Sequence, residues 1–232
     1  MNRVDTQTLL DYAKFLFEAN EDLELFLVGG LAVQGIYSGR IVRKTSDIDI
    51  LARKNDAEKL VERMRENKYE VFYNKSLEKY SVYKRTDGIH IDLYPGKIGK
   101  YPIEKIKNTD IMNGIRVISR EDLIGIKLYA YLSSDRGKKK HLIDIYSLLI
   151  SKERGKKEIK ERELDFEYLF GSVFPFVSEI TNLSESFIIE KMCEIDEKVL
   201  EQFTGREVRL IMKECEALKK FYEKIKIERK TD

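Results

Sequence analysis

Residues 26–50 read FLVGGLAVQGIYSGRIVRKTSDIDI. An apolar run ends at Gly29-Gly30, and a second apolar run carries Asp47 and Asp49 one residue apart. In a strand, residues i and i+2 point to the same face. Two carboxylates held side by side repel each other and cost stability unless a cation sits between them. The spacing therefore points to a divalent metal, and the glycines beside it point to a phosphate. Read alone, the pair is equally two exposed acids at a strand end.

Three neighbours of that stretch bear on the choice. Gly29-Gly30 follows a predicted strand over 23–28 and precedes a predicted short helix over 31–38, with Gly39 as its stop. Glycines there let backbone N–H groups approach an anion, and a helix N-terminus adds positive potential; the plainer reading is a tight turn. Asp92 lies in IHIDLY, 89–94, on one face with His90 and Tyr94, while Ile89, Ile91 and Leu93 take the other. An acid in such a strand costs energy unless it is solvated or paired. As a third carboxylate it completes a metal-binding face, or accepts the proton of an attacking hydroxyl. Arg43, Lys44 and Thr45 immediately precede the acids, where cations can meet phosphate oxygens; for Lys44 a surface loop is the preferred reading. Three carboxylates without a Cys/His cluster favour Mg2+ over zinc. Two such ions about 3.5–4 Å apart can clamp an in-line phosphoryl displacement. His90 is read as a packing or surface residue, and Tyr94 is left without a role.

Working outward, the chain has 232 residues, enough for a sizeable core. Its net charge of +2 excludes a polycation. Cys193 and Cys215 are too few and too far apart for a zinc cage or a disulfide framework, and read as apolar filling. The start, MNRVDTQTLLDY, lacks a signal-peptide core, and no apolar run reaches membrane length. The expectation is a cytoplasmic protein with no membrane partner.

Periodicity predicts a helix over 6–20 and another, capped by Asn55 or Asp56, ending near Asn67. Strands are predicted over 47–52, 69–74, 79–85 and 89–94, with Asp87-Gly88 turning the last two, and over 115–119. From Ser119 onward the pattern is helical: 120–133, 139–151, about 162–170, 174–200 with breaks, and 205–228. Ser119 and Asp122 open the first of these as a capping-box-like pair. The stretch 152–163, KERGKKEIKERE, reads as a charged surface segment. The fold class expected is α+β: a mixed sheet with flanking helices over 1–118, then an all-helical domain over 119–232.

The order of these motifs resembles the nucleotidyltransferase superfamily that includes DNA polymerase β. Within it the chain is most similar to the AbiEii-type toxin group. Val28-Gly29-Gly30-Leu31-Ala32 matches the form V-G-G-x-A, and Arg43-Lys44-Thr45-Ser46-Asp47-Ile48-Asp49 matches R-x-T-x-D-I-D. The likeness continues into Asp122-Leu123-Ile124-Gly125-Ile126-Lys127-Leu128 and Lys140-His141-Leu142-Ile143-Asp144. It implies that 1–118 is the catalytic domain and that 119–232 completes its cleft. It implies that Asp47, Asp49 and Asp92 hold metal and that Gly29, Gly30, Arg43, Thr45, Lys127 and Lys140 bind nucleotide. Asp144 would complete the pocket and help activate a group. On residues alone, Lys140 and Asp144 are a surface i,i+4 pair in the less favourable order, and Lys127 is a snorkelling stem. Two departures stand out. Position 30 is Gly where many transferases carry Ser, and the Gly-Gly to Asp47 spacing is slightly long.

The activity implied moves a nucleoside monophosphate from an NTP to an acceptor hydroxyl. The acceptor is a tRNA 3′ end, as in toxins of this kind, or a protein or small molecule, and a cognate antitoxin is the implied partner. Residues 136–162 hold ten Lys/Arg against four Asp/Glu, a basic strip that RNA phosphates could meet. Two other readings stay open. A nucleotide-binding module (for GTP or another nucleotide) without transfer is disfavoured by the complete set of three acids. An aminoglycoside-type small-molecule transferase calls for an acidic cleft, which the basic strip disfavours.

Overall fold

The computed structural model describes residues 4–38, 40–84, 86–134, 137–151 and 163–229. The chain divides into two units, Met1–Ile36 with Lys44–Ser119, and Tyr37–Arg43 with Arg120–Asp232.

The first unit is built on a mixed sheet. Its strands are β1 (Leu25–Val28), β2 (Ile48–Ala52), β3 (Glu70–Asn74), β4 (Lys79–Lys84) and β5 (Ile89–Pro95). After them come β6 (Lys97–Ile98), β7 (Tyr101–Pro102), β8 (Thr109–Met112) and β9 (Ile115–Ile118). The seven-stranded order is β3-β4-β5-β2-β1-β9-β8, with β6 and β7 a separate ribbon. β2 runs parallel to β5 and antiparallel to β1, and β9 lies parallel to β1 on the far side. β1, all apolar, is buried along its whole length, as expected for a central strand.

Helix α1 (Thr6–Glu18) begins where the Asp5 side chain accepts from the N–H groups of Gln7 and Thr8 at 2.9 and 3.0 Å. It packs on β9, while α3 (Lys54–Glu66) packs on β2, β3 and β5 through Ala57, Leu60, Val61 and Met64. The cap of α3 differs from expectation: Arg53 occupies that position without a side-chain cap, and neither Asn55 nor Asp56 fills it. Asp56 sits in the first turn, where its charge suits the helix dipole, and accepts from the Glu24 N–H at 3.3 Å. Between β1 and β2, Gly29–Leu31 forms one helical turn (α2) that opens into a π-helical turn over Ala32–Tyr37. The helix placed at 31–38 thus starts two residues earlier, on the glycines themselves; Gly39 lies outside the described residues. β6, β7 and β8 were not anticipated. β6 and β7 are two-residue strands, one ending in proline, with no alternation to read, and the four residues of β8 leave their apolar Ile111 exposed.

The described residues of the second unit form helices and the loops between them, with no strand. α4 (Arg120–Ser133) packs on α5 (Lys138–Leu149) and on the helix Phe174–Thr181. The helical stretch predicted over 174–200 is three pieces, Phe174–Thr181, Glu185–Met192 and Glu197–Leu200. The breaks are chemical: Asn182 takes a left-handed φ of 56°, and Ser184 and Asp196 cap the N–H groups of Phe187 and Val199. Gly205–Glu228 is the long helix expected, and it opens with a capping box of Thr204 and Glu207. Cys193 and Cys215 are buried and unbridged. Residues 152–162 of the charged stretch lie outside the described residues. No described helix is long and apolar enough to cross a membrane.

Candidate active site

The parallel pairing of β2 with β5 sets the site. Its register places Asp49 directly beside Asp92, and β1 places Val28 opposite Asp49. Asp47 sits one residue before β2 begins. Ile48, Ile50, Ile91 and Leu93 are buried on the other face of these two strands, so the acids have only one side to occupy.

Gly29 explains why the glycine belongs there. Its φ is +72°, and a Cβ at that position would overlap the Asp49 carboxylate. The residue needed is one without a side chain, both for backbone conformation and for room. The Tyr94 hydroxyl donates to Asp49 Oδ1 at 3.3 Å. Burial, then the charges of Asp49, Asp92 and Asp47, push the Tyr94 phenol well above its ordinary range. The phenol therefore stays protonated, with the charges of all three acids acting on it. Thr45, buried, places its hydroxyl 3.5 Å from Asp47 Oδ1.

Asp92 is the most enclosed of the three, 4% exposed. Lys79 forms an ion pair with its Oδ2, and Ser81 donates to Oδ1 at 2.9 Å. His90 Nε2 lies 3.1 Å from Oδ1. Burial alone would raise the Asp92 pKa, but the positive partners His90 and Lys79 outweigh it and hold the carboxyl at about 2. His90 is raised in turn, chiefly by Asp92.

Asp47, His90 and Asp92 each offer one donor atom, all within 4.8 Å of one another. His90 Nε2 is buried yet makes no aligned hydrogen bond. In its neutral form the imidazole offers Nε2 beside two carboxylates, a donor set that fits a divalent cation in place of the proton that otherwise faces Asp92. Asp49 stands apart from this group, against Gly29. The sequence did not single out Lys79 or Ser81, and His90 was read as a packing or surface residue on the face of Asp92. The signal for Lys79 and Ser81 was available only in the pairing of β4 with β5, where Ser81 falls opposite Asp92.

The second unit holds its own charged cluster. Asp144 is 0% exposed. Arg43 donates to it twice, from Nε at 2.8 Å and from an η-nitrogen at 2.5 Å, and Lys127 Nζ lies 2.8 Å away. Burial raises the Asp144 pKa, and Lys127 and Arg43 overcome that to keep it below the ordinary carboxylate value. Lys127 is itself buried, 5% exposed, which corrects the snorkelling reading. The surface i,i+4 pair is also corrected: Lys140 is exposed, while Asp144 turns inward to Arg43 and Lys127. Burial, then Lys127 and Lys140, push the neighbouring His141 down to about 4, so it is neutral near pH 7.

Comparison with known proteins adds the following. The family described as "Nucleotidyl transferase AbiEii toxin, Type IV TA system" matches residues 14–170. The solution structure of the antibiotic-resistance factor ANT(2'')-Ia is similar at 18% identity over 77% of this chain and 96% of that one, with a TM-score of 0.52. A crystal structure of ANT(2")-Ia in complex with adenylyl-2"-tobramycin covers 67% and 93% at 18% identity, TM-score 0.49. The lincomycin-bound lincosamide antibiotic adenylyltransferase LnuA covers 61% and 94% at 18% identity, TM-score 0.45. No curated protein sequence matches.

Proposed function

Because this chain belongs to the AbiEii nucleotidyltransferase family, we propose that its transfer runs at the hollow of Asp47, Asp49 and Asp92, and that the acceptor is the 3′ end of a tRNA. The observation that carries the site is the register: β2 and β5 align Asp49 with Asp92, and Asp47 reaches the same hollow as His90 and Asp92.

The acceptor oxygen attacks the α-phosphorus of the NTP, and the bond from that phosphorus to the bridging oxygen breaks. The electron pair leaves with pyrophosphate. The proton of the attacking hydroxyl leaves to water, and Asp92, which Lys79 and His90 keep ionised, is assigned to orient that hydroxyl and hold metal. Asp47, Asp49 and Asp92 would hold divalent metal, which would supply charge neutralisation and alignment for in-line displacement. Gly29 keeps Asp49 close to the backbone, and Tyr94 orients its carboxylate. In the second unit Asp144 holds Arg43 and Lys127 together, cations of the kind that phosphate oxygens attract. Gly30, Thr45 and Lys140 are assigned to the nucleotide in supporting roles, Lys140 from an exposed position.

The family description, a toxin of a type IV toxin–antitoxin system, supports growth arrest as the outcome and an antitoxin as the partner, in the cytoplasm. Each labelled NTP is incubated with the protein and Mg2+ or Mn2+, with total tRNA or with a panel of aminocyclitols and lincosamides. Label on RNA is the expected result. Label on a small molecule, or tight nucleotide binding with no transfer, would overturn the tRNA reading. Asp49→Asn is expected to remove transfer by more than the roughly 10–100-fold that a supporting residue costs, with circular dichroism unchanged. Activity within tenfold of the parent would remove Asp49 from the reaction.

A further inference from the structure

The structure assigns His90 a part that no carboxylate can play. We propose that His90 Nε2 is a direct ligand, with Asp47 and Asp92, of the ion held by the protein, and that this nitrogen makes the site take Mn2+ ahead of Mg2+. The inference rests on the reading of the carboxylate hollow as a metal site.

Four observations meet at this residue. His90 and Asp92 are two apart on β5 and share its open face, while Ile89 and Ile91 are buried on the other. The imidazole is stacked on Tyr83, ring centroids 4.4 Å apart and planes within 4°, so its orientation is set by packing. Tyr83 is the cross-strand partner of His90, which ties that stack to the register of β4 with β5. Nε2, the nitrogen turned toward the acids, is buried without an aligned hydrogen bond.

The distances suit one ion. Neighbouring ligand atoms around an octahedral ion at about 2.1–2.2 Å lie about 3.0 Å apart, and opposite ones about 4.3 Å. Nε2 is 3.1 Å from Asp92 Oδ1, and the three donor atoms span no more than 4.8 Å. A two-oxygen, one-nitrogen set differs in kind from the all-oxygen set drawn from the three acids. Mg2+ dehydrates reluctantly and favours oxygen, whereas imidazole suits first-row transition ions. Lys79 must give up its hold on Asp92 Oδ2 for the ion to enter, and its flexible four-carbon stem makes that a local movement.

The test uses the full-length protein with metal alone. Binding of Mn2+ and of Mg2+ is measured by titration calorimetry, and the Mn2+ form is examined by electron spin-echo envelope modulation for 14N coupling. Wild type is expected to bind Mn2+ at least about tenfold more tightly than Mg2+ and to show 14N modulation. His90→Phe keeps a ring against Tyr83 but removes the nitrogen. It is expected to lose the modulation and about tenfold or more of Mn2+ affinity, with circular dichroism unchanged. Wild-type Mn2+ without 14N modulation, or modulation that survives in His90→Phe, would overturn the proposal while leaving the carboxylate site standing. Mn2+ affinity unchanged in both Asp47→Asn and Asp92→Asn would overturn it together with the reading on which it rests.

Discussion

At the scale of single residues, the site is shaped by what cannot be added as much as by what is present. Gly29 combines a left-handed φ with an Asp49 carboxylate in the space that a Cβ would take. Gly29→Ala is therefore expected to cost about 1–3 kcal/mol from backbone conformation alone, with a further loss as Asp49 is pushed aside. Urea unfolding measures the first effect and nucleotide transfer the second; an alanine variant as stable and active as the parent would show that the carboxylate is not seated there. The Gly-Gly pair was legible in the sequence, but its purpose was not. It was read as an approach for phosphate, and the nearer group in the structure is a side chain of the same protein. His90 was legible as sharing a face with Asp92, yet a lone imidazole in a strand does not announce whether its nitrogen is satisfied.

At the scale of elements, caps and register carry most of the local specification. Thr204 and Glu207 satisfy each other across the first turn of Gly205–Glu228, the hydroxyl accepting from the Glu207 N–H at 3.3 Å and the carboxylate from the Thr204 N–H at 2.8 Å. Glu207 also accepts from Arg40 at 2.7 and 3.1 Å, so one acid serves a cap and an ion pair. Thr204→Ala is expected to lower stability by about 0.5–2 kcal/mol, read as a lower urea midpoint with unchanged slope. An unaltered midpoint would mean that the helix start is held by Arg40 and not by its cap. The strands over 69–74, 79–85 and 89–94 were legible because their alternation and the Asp-Gly turn point to the same answer. The cap of α3 was not, because Asp56 is drawn to the backbone of Glu24, a residue far away in sequence.

At the scale of the whole molecule, the ionisable groups set how stability responds to acid. Asp92, at about 2, and Asp144, also lowered, have folded pKa values below their unfolded ones. Their stabilisation is complete above about pH 4 and is lost as pH falls through the folded values. His141 is lowered to about 4 from an ordinary 6.5, so between these values the unfolded chain takes up a proton that the folded chain refuses. Stability falls across that window on its account. His90 is raised, so its stabilisation is gained as pH falls toward 6.5 and is fully present below that. Urea midpoints measured from pH 7 to pH 3 are expected to decline through 6.5–4 and more steeply below 4. His141→Gln is expected to flatten the upper part of the decline and leave the lower part intact. A variant whose curve parallels the parent from 6.5 to 4 would show that His141 is not held neutral. The division into units was only partly legible. Tyr37–Arg43 groups with the second unit although it precedes β2, because Arg43 pairs with Asp144 and Arg40 with Glu207.

By itself, the sequence determined the main strands and helices, the α+β class, and the presence of two acids on one strand face. These follow from periodicity, turn chemistry and the i,i+2 geometry of a strand, all local properties. Tertiary structure alone decided what those acids meet. Asp92 acquires Lys79, Ser81 and His90 from strand pairing, and Asp144 acquires Arg43 from a hundred residues away and Lys127 from the helix before it. A buried charge takes whichever partner the packed chain brings within reach, and that choice depends on register and helix contact, which no short window of sequence contains.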